Sequence, residues 1–197
     1  MKKVLLSIIV CLLSIFVYAD FNECMKKAQK GDPVYQHDLG LHYFYGIDVE
    51  ADTLLAIDWW RKAAKKDLAE AEYNIAFVYE KGLAVEVNID TALYYYRKSA
   101  EHGYAPSQTN IGYFYETGLY LEKDKEKAFY WYALAADQGY DIAMYNLAML
   151  YLEKPTMANL IYAIPLLKSA ALNGFEPAVK KINELKQNEE ITKYHSF

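Results

Sequence analysis

The chain has 197 residues, 54% of them hydrophobic, with only 9 Gly and 5 Pro, which excludes a disordered or fibrous protein. From Asp20 onward 19 basic residues face 26 acidic ones, a net charge of −7, so a polyanion such as nucleic acid is an unfavourable partner. The 20 Tyr, 8 Phe and 3 Trp exceed what a catalytic pocket needs and call for a structural explanation.

The N-terminus reads Met1-Lys2-Lys3, then an apolar run from Val4 to Val17 broken only by Ser7 and Ser14, then Tyr18-Ala19 before Asp20. Two positive charges, a short apolar stretch and small residues at the end are the signature of a secretory signal peptide over residues 1–19. The run is shorter than the roughly 20 residues a membrane helix needs, so cleavage after Ala19 is expected rather than anchoring. The mature chain is accordingly expected in the bacterial periplasm or outside the cell. Removing Cys11 with the leader leaves Cys24 as the sole thiol, which rules out an internal disulfide. A Cys24-linked dimer is the less favoured reading of that odd cysteine.

From Pro33 onward the sequence repeats at an offset of 36. Leu39-Gly40, Ile75-Ala76, Ile111-Gly112 and Leu147-Ala148 fall in register, followed by Tyr43, Tyr79, Tyr115 and Tyr151, then by Gly46, Gly82 and Gly118. Trp59-Trp60, Tyr95-Tyr96 and Trp131-Tyr132 recur in the second half of each unit, followed by Ala63-Ala64, Ser99-Ala100 and Ala135-Ala136.

Each unit predicts two helices. Pro33, Pro106 and Pro177 suit a first helical turn, where a missing N–H costs nothing. Gly46, Gly82 and Gly118 suit the turn that ends the first helix, and Pro155 is expected to end it in the fourth unit. Asp52, Asn88, Asp124 and Asn159 precede Ala-rich periodic runs and read as N-caps of the second helices. Gly103, Gly139 and Gly174 end those helices, while Asp67 in the same place predicts a longer first turn. The Leu/Ile and Tyr rows share one helix face, and the small Gly/Ala row admits a neighbouring helix. A face that one hairpin cannot bury is buried by stacking. The fold class is therefore all-α: a right-handed α-solenoid of about four 36-residue helix-turn-helix repeats and a C-terminal capping helix. Units are expected at about 33–68, 69–104, 105–140 and 141–175, with a cap at 176–185, all within a solenoid over 20–185, and a tail at 186–197.

The order Ala, Leu-Gly, Tyr, Gly, then Asp, Ala, Trp-Tyr, Ala-Ala, Gly at this spacing resembles the Sel-one-like repeat family, a relative of the tetratricopeptide repeat. The resemblance implies a scaffold for protein–protein interaction and, in some bacteria, an antidote against secreted toxins. A cysteine-rich branch linked to penicillin binding carries a Cys pair per unit, which this chain lacks. The resemblance also implies that the first helices line a concave groove, with His37, Tyr73, Thr109 and Tyr145, then Leu41, Phe77, Tyr113 and Met149, then Phe44, Glu80, Glu116 and Leu152 facing inward. The row Asp38, Asn74, Asn110 and Asn146 is either a clamp for a partner's backbone or part of the scaffold. The partner-binding residues expected are His37, Leu41, Phe44, Tyr73, Asn74, Phe77, Asn110, Tyr113, Tyr145, Asn146 and Met149, a mixture that suits a protein segment of apolar and basic character.

Catalytic and metal motifs are not found in the sequence. His37, His42, His102 and His195 are scattered, with no His-Glu-x-x-His or Cys-x-x-Cys, and no serine lies in Ser-x-x-Lys or Gly-x-Ser-x-Gly. No cofactor, no metal and no enzyme activity are expected. The reading is a non-catalytic, periplasmic or secreted protein-binding scaffold. The alternatives are an immunity protein against a periplasm-delivered toxin and, from another class, a cell-wall or β-lactam-acting enzyme.

Overall fold

A computed structural model describes residues 21–188. The expected signal peptide and all of the expected tail after Asn188 lie outside the described residues. The described chain opens in helix at residues 21–29 (α1). There follow α2 (Pro33–Tyr45), α3 (Thr53–Ala64), α4 (Ala69–Lys81), α5 (Ile89–Glu101), α6 (Ala105–Thr117), α7 (Lys125–Asp137), α8 (Asp141–Leu152), α9 (Met157–Leu172) and α10 (Glu176–Lys186). Among the described residues there is no strand, and no helix is long and apolar enough to cross a membrane.

The chain forms two compact units, one through His102 and one from Gly103. In the first, α2 packs on α3 and α4 on α5; in the second, α6 packs on α7, α8 on α9 and α9 on α10. The signals that make each hairpin are local. Gly46, Gly82 and Gly118 cap the first helices with φ of 67°, 67° and 78°, a left-handed conformation that glycine adopts without a Cβ penalty. The chain then turns so that the N–H of Asp52, Asn88 and Asp124 donates to the carbonyl of Tyr43, Tyr79 and Tyr115 at 2.8, 3.0 and 2.9 Å. The same three side chains accept from Leu55, Thr91 and Lys127 N–H at 2.9, 2.9 and 3.0 Å, satisfying a donor at each second-helix start.

One turn expectation needs correction. In the fourth repeat the N-cap is Thr156, whose hydroxyl accepts from Asn159 N–H. Asn159 lies inside α9, and its amide donates to Lys154 O at 2.7 Å. The first inter-repeat turn is longer, as expected: four residues, 65–68, separate α3 from α4, against three between α5 and α6 and between α7 and α8, and Asp67 within it adopts φ 59°, a conformation Asp tolerates.

The core is built of small residues under large ones. Ala56, Ala63, Ala92, Ala128, Ala135, Ala163 and Ala170 are buried, as are Trp60, Tyr96, Tyr132 and Leu167 at one register position of successive second helices. Gly40 and Gly112 let those rings approach: a Cβ on Gly112 would meet Tyr132 ring carbons at 2.7 and 2.8 Å, and one on Gly40 would overlap the Trp60 indole. The aromatic excess is therefore largely packing material. Helix α1 seals the first repeat with Phe21, Cys24 and Ala28 against Leu39. Cys24 is 6% exposed, with its thiol donating to Tyr35 O, which weighs against a Cys24-linked dimer. At the other end Ala178, Ile182 and Leu185 of α10 cover the second unit's core.

Candidate functional site

Five of the expected contact residues converge in the first unit. Leu41 and Phe44 of α2 and Tyr73, Asn74 and Phe77 of α4 line a surface recess of about 170 Å³, together with Tyr45 and Trp60. The helical spacing explains the convergence: Leu41, Phe44 and Tyr45 lie at i, i+3 and i+4, and Tyr73, Asn74 and Phe77 at i, i+1 and i+4, so each triplet shares one helix face.

Trp60 fixes the floor. Its indole Nε1 donates to His37 O at 3.1 Å, and its ring lies 5.4 Å from that of Phe44. Phe44 in turn packs edge-on against Tyr45 at 4.9 Å and 82°, and Tyr73 against Tyr96 at 5.7 Å. His37 lies behind this wall, bonded to the Asn74 amide at 3.0 Å. Burial lowers the His37 pKa, against the opposing pull of Asp38 and Glu70, so the ring is neutral at neutral pH. The neutral ring accepts the Asn74 N–H at Nε2 and directs Nδ1 to Asp38, 3.5 Å away.

In the second unit Tyr113 is 46% exposed. Tyr145 packs on Phe175 at 5.7 Å and borders a recess of about 400 Å³ with Glu176, Pro177, Lys180, Lys181 and Glu184. Asn146 bonds to the Tyr132 hydroxyl, while Met149 and Asn110 are half-buried. The amide ladder is thus at least partly scaffold, since Asn74 and Asn146 both have internal partners.

One groove expectation fails, and two further residues of the rows are engaged within the scaffold. Thr109 is 5% exposed and its hydroxyl donates to Ala105 O, so it faces the core. Glu80 and Glu116 accept hydrogen bonds from the buried hydroxyls of Tyr96 and Tyr132 at 2.8 and 2.6 Å; burial, then the Glu116 bond, pushes the Tyr132 pKa up. In the first repeat this position is Phe44 and its partner Trp60. A carboxylate therefore sits where a tyrosine hydroxyl must be satisfied, and a phenyl ring where an indole must be covered. Comparing the two rows, 16 residues apart, would have revealed this pairing from sequence.

A polar cluster lies outside these rows. Glu72 is fully buried, with His102 Nδ1 at 2.8 Å and Lys98 Nζ at 3.0 Å, and Asp67 lies 3.6 Å from Lys98. Asp67, Glu72 and His102 could together present metal ligands, but the Lys98 ammonium already supplies the positive charge between the two carboxylates. Glu72 occupies the register position of Gln36 and Gln108, which bond to Ala28 O at 3.1 Å and to Gln138 at 2.8 Å. The cluster is the charged member of a row that ties successive helices together.

The Sel1 repeat model matches residues 33–68, 69–104, 105–140 and 141–175, and the chain belongs to the Sel1 repeat family. The family and the stacked hairpins make it an all-α repeat solenoid, a fold used as a scaffold for protein binding. Among solved structures it is similar to a Sel1 repeat protein from Oxalobacter formigenes, with 29% identity, a TM-score of 0.77, and coverage of 88% of this chain and 75% of that one. It is also similar to c5321, a protective antigen of uropathogenic Escherichia coli strains with an SLR fold, at 28% identity and TM-score 0.77 over 87% of this chain but only 37% of the antigen. The Pseudomonas aeruginosa immunity protein PA5088, at 23% identity and TM-score 0.59 over 88% of this chain and 65% of that one, shares the fold. No curated protein matches the sequence.

Proposed function

We infer that the mature chain is a non-catalytic scaffold of the bacterial envelope or extracellular space that engages another protein or peptide through the first-helix faces of its repeats. The observation that carries this reading is the convergence of Leu41, Phe44, Tyr73, Asn74 and Phe77, from first helices of two successive repeats, on one surface recess. Aromatic side chains that are half-buried and grouped offer large contact area at small entropic cost, the property of interface anchors. The envelope assignment is supported by the sequence of residues 1–19, and the absence of Ser-x-x-Lys and of a hydrolase serine motif speaks against a penicillin-acylating or hydrolytic serine.

The test is an affinity capture with the mature chain, comparing wild type with Phe77→Ala/Tyr113→Ala and with Lys65→Ala, an exposed second-helix-end residue. A protein retained by wild type and Lys65→Ala and lost by the double variant, with helical content unchanged, supports the reading. Equal retention by all three contradicts it.

A further inference from the structure

We propose that the recess between α2 and α4 takes the guanidinium of an arginine side chain from the partner. This rests on the protein-binding reading above and adds the chemistry of one anchor. The recess is bounded by five aromatic rings, those of Phe44, Tyr45, Trp60, Tyr73 and Phe77. At about 170 Å³ it is below the roughly 300 Å³ at which small-molecule sites begin, and it matches one side chain. Ring faces attract a cation through their quadrupole, and a planar, weakly hydrated guanidinium stacks on them better than an ammonium does.

The charge around the recess has the complementary sign. Asp38 stands one turn before Leu41 on α2, and Glu70 one turn before Tyr73 and Asn74 on α4, so each carboxylate shares the face that lines the recess. Both act on the His37 ring behind the wall. Among the described residues Asp38 is near only the neutral His37, neither carboxylate has a Lys or Arg ion pair, and no Lys or Arg lines the recess. Asn74 supplies the remaining group: its N–H is committed to His37 Nε2, which leaves its carbonyl oxygen to accept a guanidinium N–H. A body carrying net −7 beyond Asp20 favours a cationic partner in the same direction.

The test is an NMR titration of the isotope-labelled mature chain with acetyl-Gly-Arg-Gly-amide, its citrulline counterpart, which keeps the shape without the charge, and the lysine peptide. The arginine peptide is expected to shift the Trp60 indole N–H and the Asn74 amide saturably, and to bind about threefold to thirtyfold more tightly than the citrulline peptide. Tyr45→Ala, at a residue 66% exposed and therefore safe to truncate, should weaken the arginine peptide, and Asp38→Asn/Glu70→Gln should erase its advantage over citrulline. Equal binding of arginine and citrulline peptides, equal binding of arginine and lysine, or shifts confined to other residues each overturn the proposal. Should the arginine peptide fail while the Phe77/Tyr113 variant still loses a captured protein, the protein-binding reading stands and only this anchor falls.

Discussion

Gly40→Ala is the most informative single change, because one methyl group tests the helix register, the ring-over-glycine packing and the origin of the recess floor together. The added Cβ would overlap Nε1 and Cδ1 of Trp60 and lie 2.9 Å from Cε2. Trp60 is 1% exposed and held by its bond to His37 O, so it has no free direction in which to yield. Overpacking of a filled core costs about 1–3 kcal/mol, and straining the indole bond adds about 0.5–1.5 kcal/mol. The better helix propensity of Ala returns about 1 kcal/mol, leaving a net loss of about 1–3 kcal/mol. With a urea slope of about 1–3 kcal/mol per M, the midpoint should fall by roughly 1 M. The second repeat pairs Ala76 with Tyr96 at these two positions, whereas the third keeps Gly112 beneath Tyr132. Trp60→Phe removes the Nε1 that the added Cβ would overlap and should relieve part of the clash, so the Gly40→Ala/Trp60→Phe variant should be more stable than the sum of the two single losses, by a coupling of about 0.5–3 kcal/mol. An unchanged midpoint for Gly40→Ala, or strict additivity in the double variant, would refute the packing argument.

Gly112→Leu should likewise destabilise the second unit by about 1–3 kcal/mol or more, because Tyr132 fills the space above it, while Glu122→Leu in the exposed loop should stay within about 0.5 kcal/mol; equal urea midpoints would show the register to be wrong. Burial holds the His37 pKa below its ordinary 6.5, so the unfolded chain takes the proton first. The stabilising contribution is thus complete above that value and declines as pH falls below it. Wild type should lose more stability than His37→Gln between about pH 7.5 and pH 5, and identical losses would contradict this. Finally, the Ala19 boundary predicts a mature N-terminus at Asp20; an intact mass of envelope protein that retains Met1 would disprove it.

Most of the fold was legible because its determinants are local and recur. Asp52, Asn88 and Asp124 cap helices through backbone N–H groups three residues away, and Gly46, Gly82 and Gly118 sit where the chain needs a left-handed residue, so spacing alone found them. Asn159 precedes an Ala-containing run as the other caps do, but α9 begins most of a turn earlier, at Met157, where the Thr156 hydroxyl provides the cap. Helix α1 was not anticipated, although Phe21, Cys24 and Ala28 stand at helical spacing beside the expected signal boundary. The site was less legible. Leu41, Phe44, Tyr73, Asn74 and Phe77 are brought together as the repeat pattern implied. Glu80, Glu116 and Thr109 are taken up by partners within the scaffold, and Trp60, expected only as packing, forms the recess floor. Thr109 bonds within its own helix, but the Glu80, Glu116 and Trp60 contacts join residues 16 or 23 apart across a hairpin, and a single row of the repeat cannot show which of two facing rows supplies the partner.

The central claim, that first-helix faces meet the partner, is tested most directly by photo-crosslinking in the living cell. A photoreactive phenylalanine analogue would replace Phe77 or Tyr113, with Lys65 and Lys123, both exposed, as outer positions. The account predicts one discrete covalent adduct, with the same protein, from positions 77 and 113, and none from 65 or 123. Adducts from 65 or 123 alone, or none from 77 and 113 while the chain remains folded, would contradict it.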